Sequence, residues 1–495
     1  MSEFYVIGID QSTQGTKAIL FDDHGKIVHR HDEIHKQYIS ELGWVSHDAE
    51  EIYHNVIRAC KGVIAESGID QKKIRCMGIS NQRETTLAWN RETQKPCAKA
   101  VVWQCNRAES VCREIAKTCN PDKDIYDITG IRLTPYYPAS KMAWLLENVS
   151  GLKEDTKNGT AMLGTIDSWL IFRLTHGKNF YTDYSNASRV QLMNLRTLQW
   201  DEKLCDIFHV PESALPEIVD SDANFGETDL EGCLEHKIPI LGVLGDSHAA
   251  LFGHNCRREG DIKATYGTGS SVMLNTGRRA VKSRNGLTTS LAWKVKGEAD
   301  YVLEGNINYT GAVFNWLKDD VKLISSTREI EALAMQANPE DRTYLIPAFS
   351  GLGAPWWADH ASAALIGMTR NTGRNEIVKA GCDSIAYQIN DVISAMRQDT
   401  GLDIPELCVD GGPTRNKLLM QEQSDFSNVR VKIPNTEELS AMGAACLAGM
   451  NAGLYDHSVY DAVTYQCYES QMDSETRTKK IEGWKKAVER VIGRI

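Results

Sequence analysis

Several things are missing from this 495-residue sequence. No apolar stretch approaches the roughly 18 residues of a membrane-crossing helix, so a helical membrane protein is not expected. Met1 to Tyr5 has neither a basic nor an apolar leader region, so no secretory signal is expected and a cytoplasmic location is. There is no long basic run and the net charge is −11, which argues against DNA, RNA or an anionic membrane as main partner. The 13 cysteines include no C-x-x-C pair. Cys105, Cys112 and Cys119 recur every seven residues, a spacing open to a metal or disulfide site; reduced thiols near one helix face are the favoured reading. No G-x-x-x-x-G-K-[ST] occurs, and no G-x-G-x-x-G opens a helix, so P-loop and Rossmann phosphate sites are disfavoured.

What is present is an ordinary globular composition, 42% apolar and 24% charged, in a chain too long for one core. Two domains are expected, 1–253 and 254–495, with the joint near "GHNCRREG". The N-terminus reads as a meander of three short strands, Phe4–Ile9, Lys17–Phe21 and Lys26–Arg30. A helical pattern follows over Ala49–Ser67, with Ser46 or Asp48 as its cap, and then a buried-type strand at Ile74–Ile79. That order predicts a ribonuclease-H-like, actin-like domain. A similar plan recurs from "DIKATYGTGSSVMLNTG", with helices near Gly311–Leu317 and Glu376–Met396 and a strand–turn–helix at "LCVDGGPTRN". The fold class expected is therefore α/β, with two actin-like domains around a central cleft. Lys479–Ile495 reads as a closing helix with Ile481, Trp484, Val488, Val491 and Ile492 on one face.

Four small, polar, glycine-bearing turns follow strands: Gln11–Thr16, Gly267–Ser271, Gly351–Gly353 and Gly411–Asn416. Their backbone N–H groups suit phosphate oxygens, because no side chain holds the anion away. Asp10 and Asp246 each end an apolar strand, where a carboxylate can hold Mg²⁺ or act as a general base; Asp246 is equally placed to cap the helix after it. Arg83 and Glu84 stand side by side just past a strand and together can donate to and accept from vicinal hydroxyls. Trp103 offers an apolar face for a carbon chain.

These segments in this order resemble the FGGY carbohydrate kinases, most closely the glycerol kinases among them. The stretches that carry the likeness include "GIDQSTQGTK", "ISNQRETTLAW", "VVWQCNR", "YYPASKMAWLL", "TDYSNASR", "TYGTG", "LIPAFSGLGAPWW" and "VDGG". The resemblance implies transfer of a phosphoryl group from Mg·ATP to a primary hydroxyl of a small polyol or sugar. It implies Asp246 as catalytic base and Asp10 as the acid supporting the metal. Arg83, Glu84, Trp103 and Tyr136 fall on the polyol positions. Ser12, Thr13, Gln14 and Lys17 form one wall of the phosphate site, and Thr268, Gly311, Asn315, Gly412 and Asn416 fall on nucleotide contacts. A homodimer or homotetramer is common in the family.

The departures from that pattern are specific. Glycerol kinases usually carry Gln after the catalytic Asp and Phe in the strand after the TGTG turn; here Ser247 and Ser271 take those places. Both residues are assigned to the acceptor pocket. The expectation is a wider, more polar pocket that prefers a four- or five-carbon polyol or ketose. Glycerol as true substrate is the alternative, and an actin-like ATPase without a sugar substrate is a remote one. Gln14 and Gly15 replace the usual Thr and Ser of the first phosphate turn. "LEGCLEHKIP" stands where some bacterial glycerol kinases bind fructose 1,6-bisphosphate, so regulation by that route is not expected.

Overall fold

The structure is a computed structural model and describes residues 2–493; the last two positions of the expected closing helix lie outside them. Strand β1 (Tyr5–Gln11) is buried on both faces, as its nearly unbroken apolar run requires. It pairs antiparallel with β2 (Gly15–Asp22), and β2 with β3 (Ile27–Ile34), an edge strand whose side chains alternate toward solvent. On its other side β1 runs parallel to the strand Ile74–Asn81, which runs parallel to Ile238–Gly245. Helix α1 (Ala49–Ser67) covers this sheet. Asp48 is its cap, accepting from the backbone N–H groups of Glu50 and Glu51, and Gly68 ends it at φ 64°.

The second half repeats the plan. Ile262–Tyr266, Ser270–Gly277 and Glu298–Ile307 lie side by side and antiparallel, and Ile262–Tyr266 also runs parallel to Glu406–Asp410, which runs parallel to Arg430–Pro434. Thr288–Val295 and Tyr465–Tyr468 extend the sheet at its two edges, giving seven strands against six in the first. The long helix Arg374–Thr400 packs into the core of this half, and the closing helix Ser474–Val491 buries Trp484, Ala487 and Val488. Asp473 caps that helix, which is why it starts before Lys479.

A third core lies between the two sheets. Val6, Ile19, Phe21 and Leu244 of the first sheet and Met273, Val302 and Cys408 of the second belong to it. So do residues of two helices, Asp246–Gly253 and Leu439–Asn451. These helices cross so closely that a Cβ on Gly443 would lie 1.9 Å from the Ala249 carbonyl oxygen. The arrangement turns the C-terminal ends of the parallel strands of both halves toward one cleft. All 13 cysteines are free thiols; of the heptad-spaced three, Cys105 precedes a short helix (Glu109–Thr118), Cys112 lies in it and Cys119 caps its end.

Candidate active site

Three neighbouring parallel strands deliver the chemistry-bearing residues of the first half. β1 carries Asp10 near its end, Ile74–Asn81 leads into Arg83 and Glu84, and Ile238–Gly245 leads into Asp246. A side chain just past a strand end faces the crevice outside the sheet, so the three sets meet there. Arg83 Nε lies 3.1 Å from Asp246 Oδ1. Arg83 is almost fully buried, whereas the Asp246 side chain is 35% exposed to the cleft. Asp246 is the first residue of its helix, and its carboxylate accepts from the Ser247 N–H at 2.6 Å. Gly245 just before it is required: a Cβ there would stand 2.6 Å from Arg83 Cγ. Glu84 sits at φ 61°, an unusual conformation for an acid, held by an ion pair with Arg189 Nε at 2.6 Å.

The pairing of these charges was not legible in the sequence. Glu304, fully buried in the strand Glu298–Ile307 of the second half, accepts from Arg83 Nη2 at 2.8 Å and Nη1 at 3.2 Å. Arg189 contacts both Glu84 and Glu304. Burial alone raises the Glu304 pKa, but the guanidinium groups of Arg189 and Arg83 hold it well below the usual carboxylate range. Ser271 Oγ donates to Glu304 Oε1 at 2.8 Å, and Ser247 Oγ accepts from Arg83 Nη2 at 3.3 Å. The two serines are thus tied into the ion network rather than standing free along an enlarged pocket. An acid inside the apolar run "YVLEGNI" was the available signal for Glu304, and Arg189 closes the "TDYSNASR" stretch.

Trp103 and Tyr136 form an aromatic wall, their rings meeting edge to face at 5.6 Å between centroids. Both line a cavity of about 810 Å³ that also receives Glu304, Asn306 and Asn308 from the second half. The buried Lys141 ammonium bonds the Tyr136 carbonyl, and burial pulls its pKa down to about 7. The Trp103 indole N–H donates to Thr13 Oγ1 at 2.9 Å, which joins this wall to the first glycine turn.

In that turn the Ser12 hydroxyl donates to the Gly15 carbonyl, and the Gln14 side chain is exposed. Lys17 Nζ donates to Glu438 at 2.9 Å and stands 3.8 Å from Asp10. Thr268, Gly311, Asn315, Gly412 and Asn416 do come together: all five line one cavity of about 680 Å³, with Thr327, Arg328 and Glu331 as lining residues the sequence did not single out. Gly353 lies instead on the cavity beside Trp103 and Tyr136, so the third glycine turn is not part of the nucleotide-type pocket.

Among the described residues no group of three or more His, Cys, Asp or Glu side chains is preassembled for a metal. Asp10 nevertheless fits a cation held jointly with phosphate oxygens. Burial pushes its carboxyl up to about 6; Lys17 opposes that, and the nearby carboxylates of Asp246 and Glu438 add to it. Two carboxylates that repel across a cleft are relieved by a divalent ion, and Mg²⁺ needs only one or two of them when phosphates and water complete its shell.

Residues 5–253 match the FGGY family of carbohydrate kinases, N-terminal domain, and residues 262–452 its C-terminal domain. The chain belongs to the FGGY carbohydrate kinases. It is 47% identical to glycerol kinase 1 of Thermotoga maritima over 491 residues, 99% of each chain. To a glycerol kinase of Aliivibrio fischeri it is 42% identical over 487 residues, 98% of this chain and 96% of that one. The crystal structure of Plasmodium falciparum glycerol kinase with ADP superposes with a TM-score of 0.93 at 38% identity, covering 99% and 98% of the two chains. A xylulose kinase from Lactobacillus acidophilus shares the fold, with a TM-score of 0.88 at 21% identity over 99% and 98% of the chains. This FGGY kinase is an ATP-dependent phosphotransferase acting on a small sugar or polyol.

Proposed function

We propose that the protein transfers the γ-phosphoryl group of Mg·ATP to a primary hydroxyl of glycerol. The observation that carries this reading is the placement of Asp246. It is partly exposed and held at 3.1 Å by Arg83, whose partner Glu304 lines the same cavity as Trp103 and Tyr136. The acceptor oxygen attacks the γ-phosphorus, the O–P bond to ADP breaks, and the acceptor's proton passes to the Asp246 carboxylate. Arg83 and Glu84 supply a donor and an acceptor for the neighbouring hydroxyls, and Trp103 and Tyr136 cover the carbons. The residues around Gly411–Asn416 hold the nucleotide, and Asp10 supports Mg²⁺, which neutralises the phosphate charge when bound.

Relatives at 42–47% identity over nearly the whole chain bear glycerol kinase names, which favours glycerol over the larger polyol expected from Ser247 and Ser271. The committed hydroxyls point the same way: Ser247 serves Arg83 and Ser271 serves Glu304. A four- or five-carbon acceptor remains the second reading, because the cavity of about 810 Å³ continues past the aromatic wall to Asn306 and Asn308. A kcat/KM comparison over glycerol, erythritol, erythrulose, xylulose and ribulose separates them. Glycerol ahead by tenfold or more is the expected result; a pentose-derived ketose ahead by that margin replaces it.

A further inference from the structure

We propose that Glu304 is a positioning residue of the acceptor site, reaching across from the second domain to fix Arg83, and through Arg83 the base Asp246. This rests on the acceptor chemistry proposed above. Glu304 lies on Glu298–Ile307, the strand next to one edge of the seven-stranded sheet, register-paired with Met273 on one side and Thr288 on the other. A carboxylate fully buried at such a position is costly unless it is paired. Its cationic partners are not in its own domain. Arg83 follows a strand of the first sheet, and Arg189 follows the short helix Tyr184–Ala187.

The geometry is directional. Both Glu304 oxygens take the two terminal nitrogens of Arg83, end on. That grip leaves the Nε edge of the guanidinium turned toward Asp246 at 3.1 Å. Of the five N–H donors of Arg83, three are committed to Glu304 and Ser247, so the remainder face the carboxylate and the cleft. A planar fork clamped at one end cannot rotate about its own axis, which is what orienting a catalytic partner demands. Arg189 bridges Glu304 back to Glu84, and Ser271 donates to the same Glu304 oxygen that Arg83 uses. Glu304 is therefore the point where both acceptor-contacting charges of the first domain are anchored to the second. The proposed acceptor site is thus built from both halves of the chain.

The experiment is steady-state kinetics with glycerol and ATP on the full-length wild type, Glu304→Gln and Glu304→Asp, alongside ADP titration of each. A displaced acceptor geometry of about 1 Å costs on the order of 100-fold in turnover. Glu304→Gln is expected to lose about that much kcat while its ADP affinity stays within twofold of wild type. Glu304→Asp, which keeps the charge, is expected to recover roughly tenfold of the loss. Should Glu304→Gln not fold, Ser271→Ala reads the same carboxylate and is expected to lower kcat/KM for glycerol by roughly three- to tenfold. Wild-type kcat in Glu304→Gln overturns the inference, as does a parallel loss of ADP affinity, which marks a merely structural acid. A wild type that phosphorylates none of the alcohols overturns the proposed function and takes this inference with it.

Discussion

At the scale of single residues, the site works by charge pairing that no residue could sustain alone. Glu84 and Arg189 pair in a buried setting, and removing Arg189 takes that cation from Glu84, whereas removing Glu84 leaves Arg189 held by Glu304. Glu84→Gln is expected to raise the KM for glycerol about tenfold or more, because a hydroxyl acceptor is weakened; initial-rate kinetics at saturating ATP checks this. A second buried pair lies behind the site. His254, in the segment joining the two halves, bonds Asp410 Oδ2 at 2.9 Å, just before the Gly411–Asn416 turn. Burial lowers the imidazole pKa, but the hydrogen bond to Asp410 outweighs it and carries the group up to about 9, above its ordinary 6.5. A raised imidazolium stabilises the fold fully below about pH 6.5 and loses that contribution as pH rises through about 9. The wild type is expected to lose about 2–3 kcal/mol of stability across that window. Denaturation midpoints at its two ends should show the loss, and His254→Gln should flatten it.

At the scale of elements, helix α1 was legible to the residue, because its apolar spacing and the Asp48 cap are both local. The strands of the first meander and the first two of the second sheet were legible for the same reason, alternation and glycine turns being written in consecutive residues; Glu298–Ile307 was not singled out. The paired crossing of Asp246–Gly253 and Leu439–Asn451 was not, since what decides it is the absence of a side chain at Gly443 opposite a carbonyl nearly two hundred positions away. Two substitutions contrast these cases. Asp48→Ala is expected to cost about 1 kcal/mol with kcat unchanged. Gly443→Ala is expected to cost about 2–3 kcal/mol and to lower kcat as well, because the helix that it displaces begins with Asp246. Thermal melts read with activity assays distinguish them.

At the scale of the whole molecule, two similar sheets flank a shared core; the proposed acceptor residues Arg83, Glu84 and Asp246 follow strands of the first, and the cavity of Thr268, Gly311 and Gly412 belongs to the second half. Asp10, Arg83, Asp246, Thr268, Gly412 and Asn416 could be singled out because each stands at a strand end or in a recognisable turn, whereas Gly311 and Asn315 came only from the family resemblance. Glu304, Arg189 and the tie between Trp103 and Thr13 could not, because each is a contact between distant segments that exists only once the chain is folded. The same separation explains why Ser247 and Ser271 suggested a roomy pocket: the sequence shows the small side chains but not the Arg83 and Glu304 groups that claim them. Phosphoryl transfer to an alcohol requires water to be kept from the γ-phosphorus, so ATP hydrolysis without an alcohol is expected to run below about 1% of the glycerol-dependent rate, measured as ADP release with and without glycerol. The most direct measurement is transfer of label from γ-labelled ATP to glycerol in single turnover, comparing wild type with Asp246→Asn. Label is expected in glycerol phosphate with the wild type, and at a rate lower by about 1,000-fold or more with the variant, its ADP binding intact. Undiminished transfer by Asp246→Asn, or no label reaching any alcohol, would contradict the account.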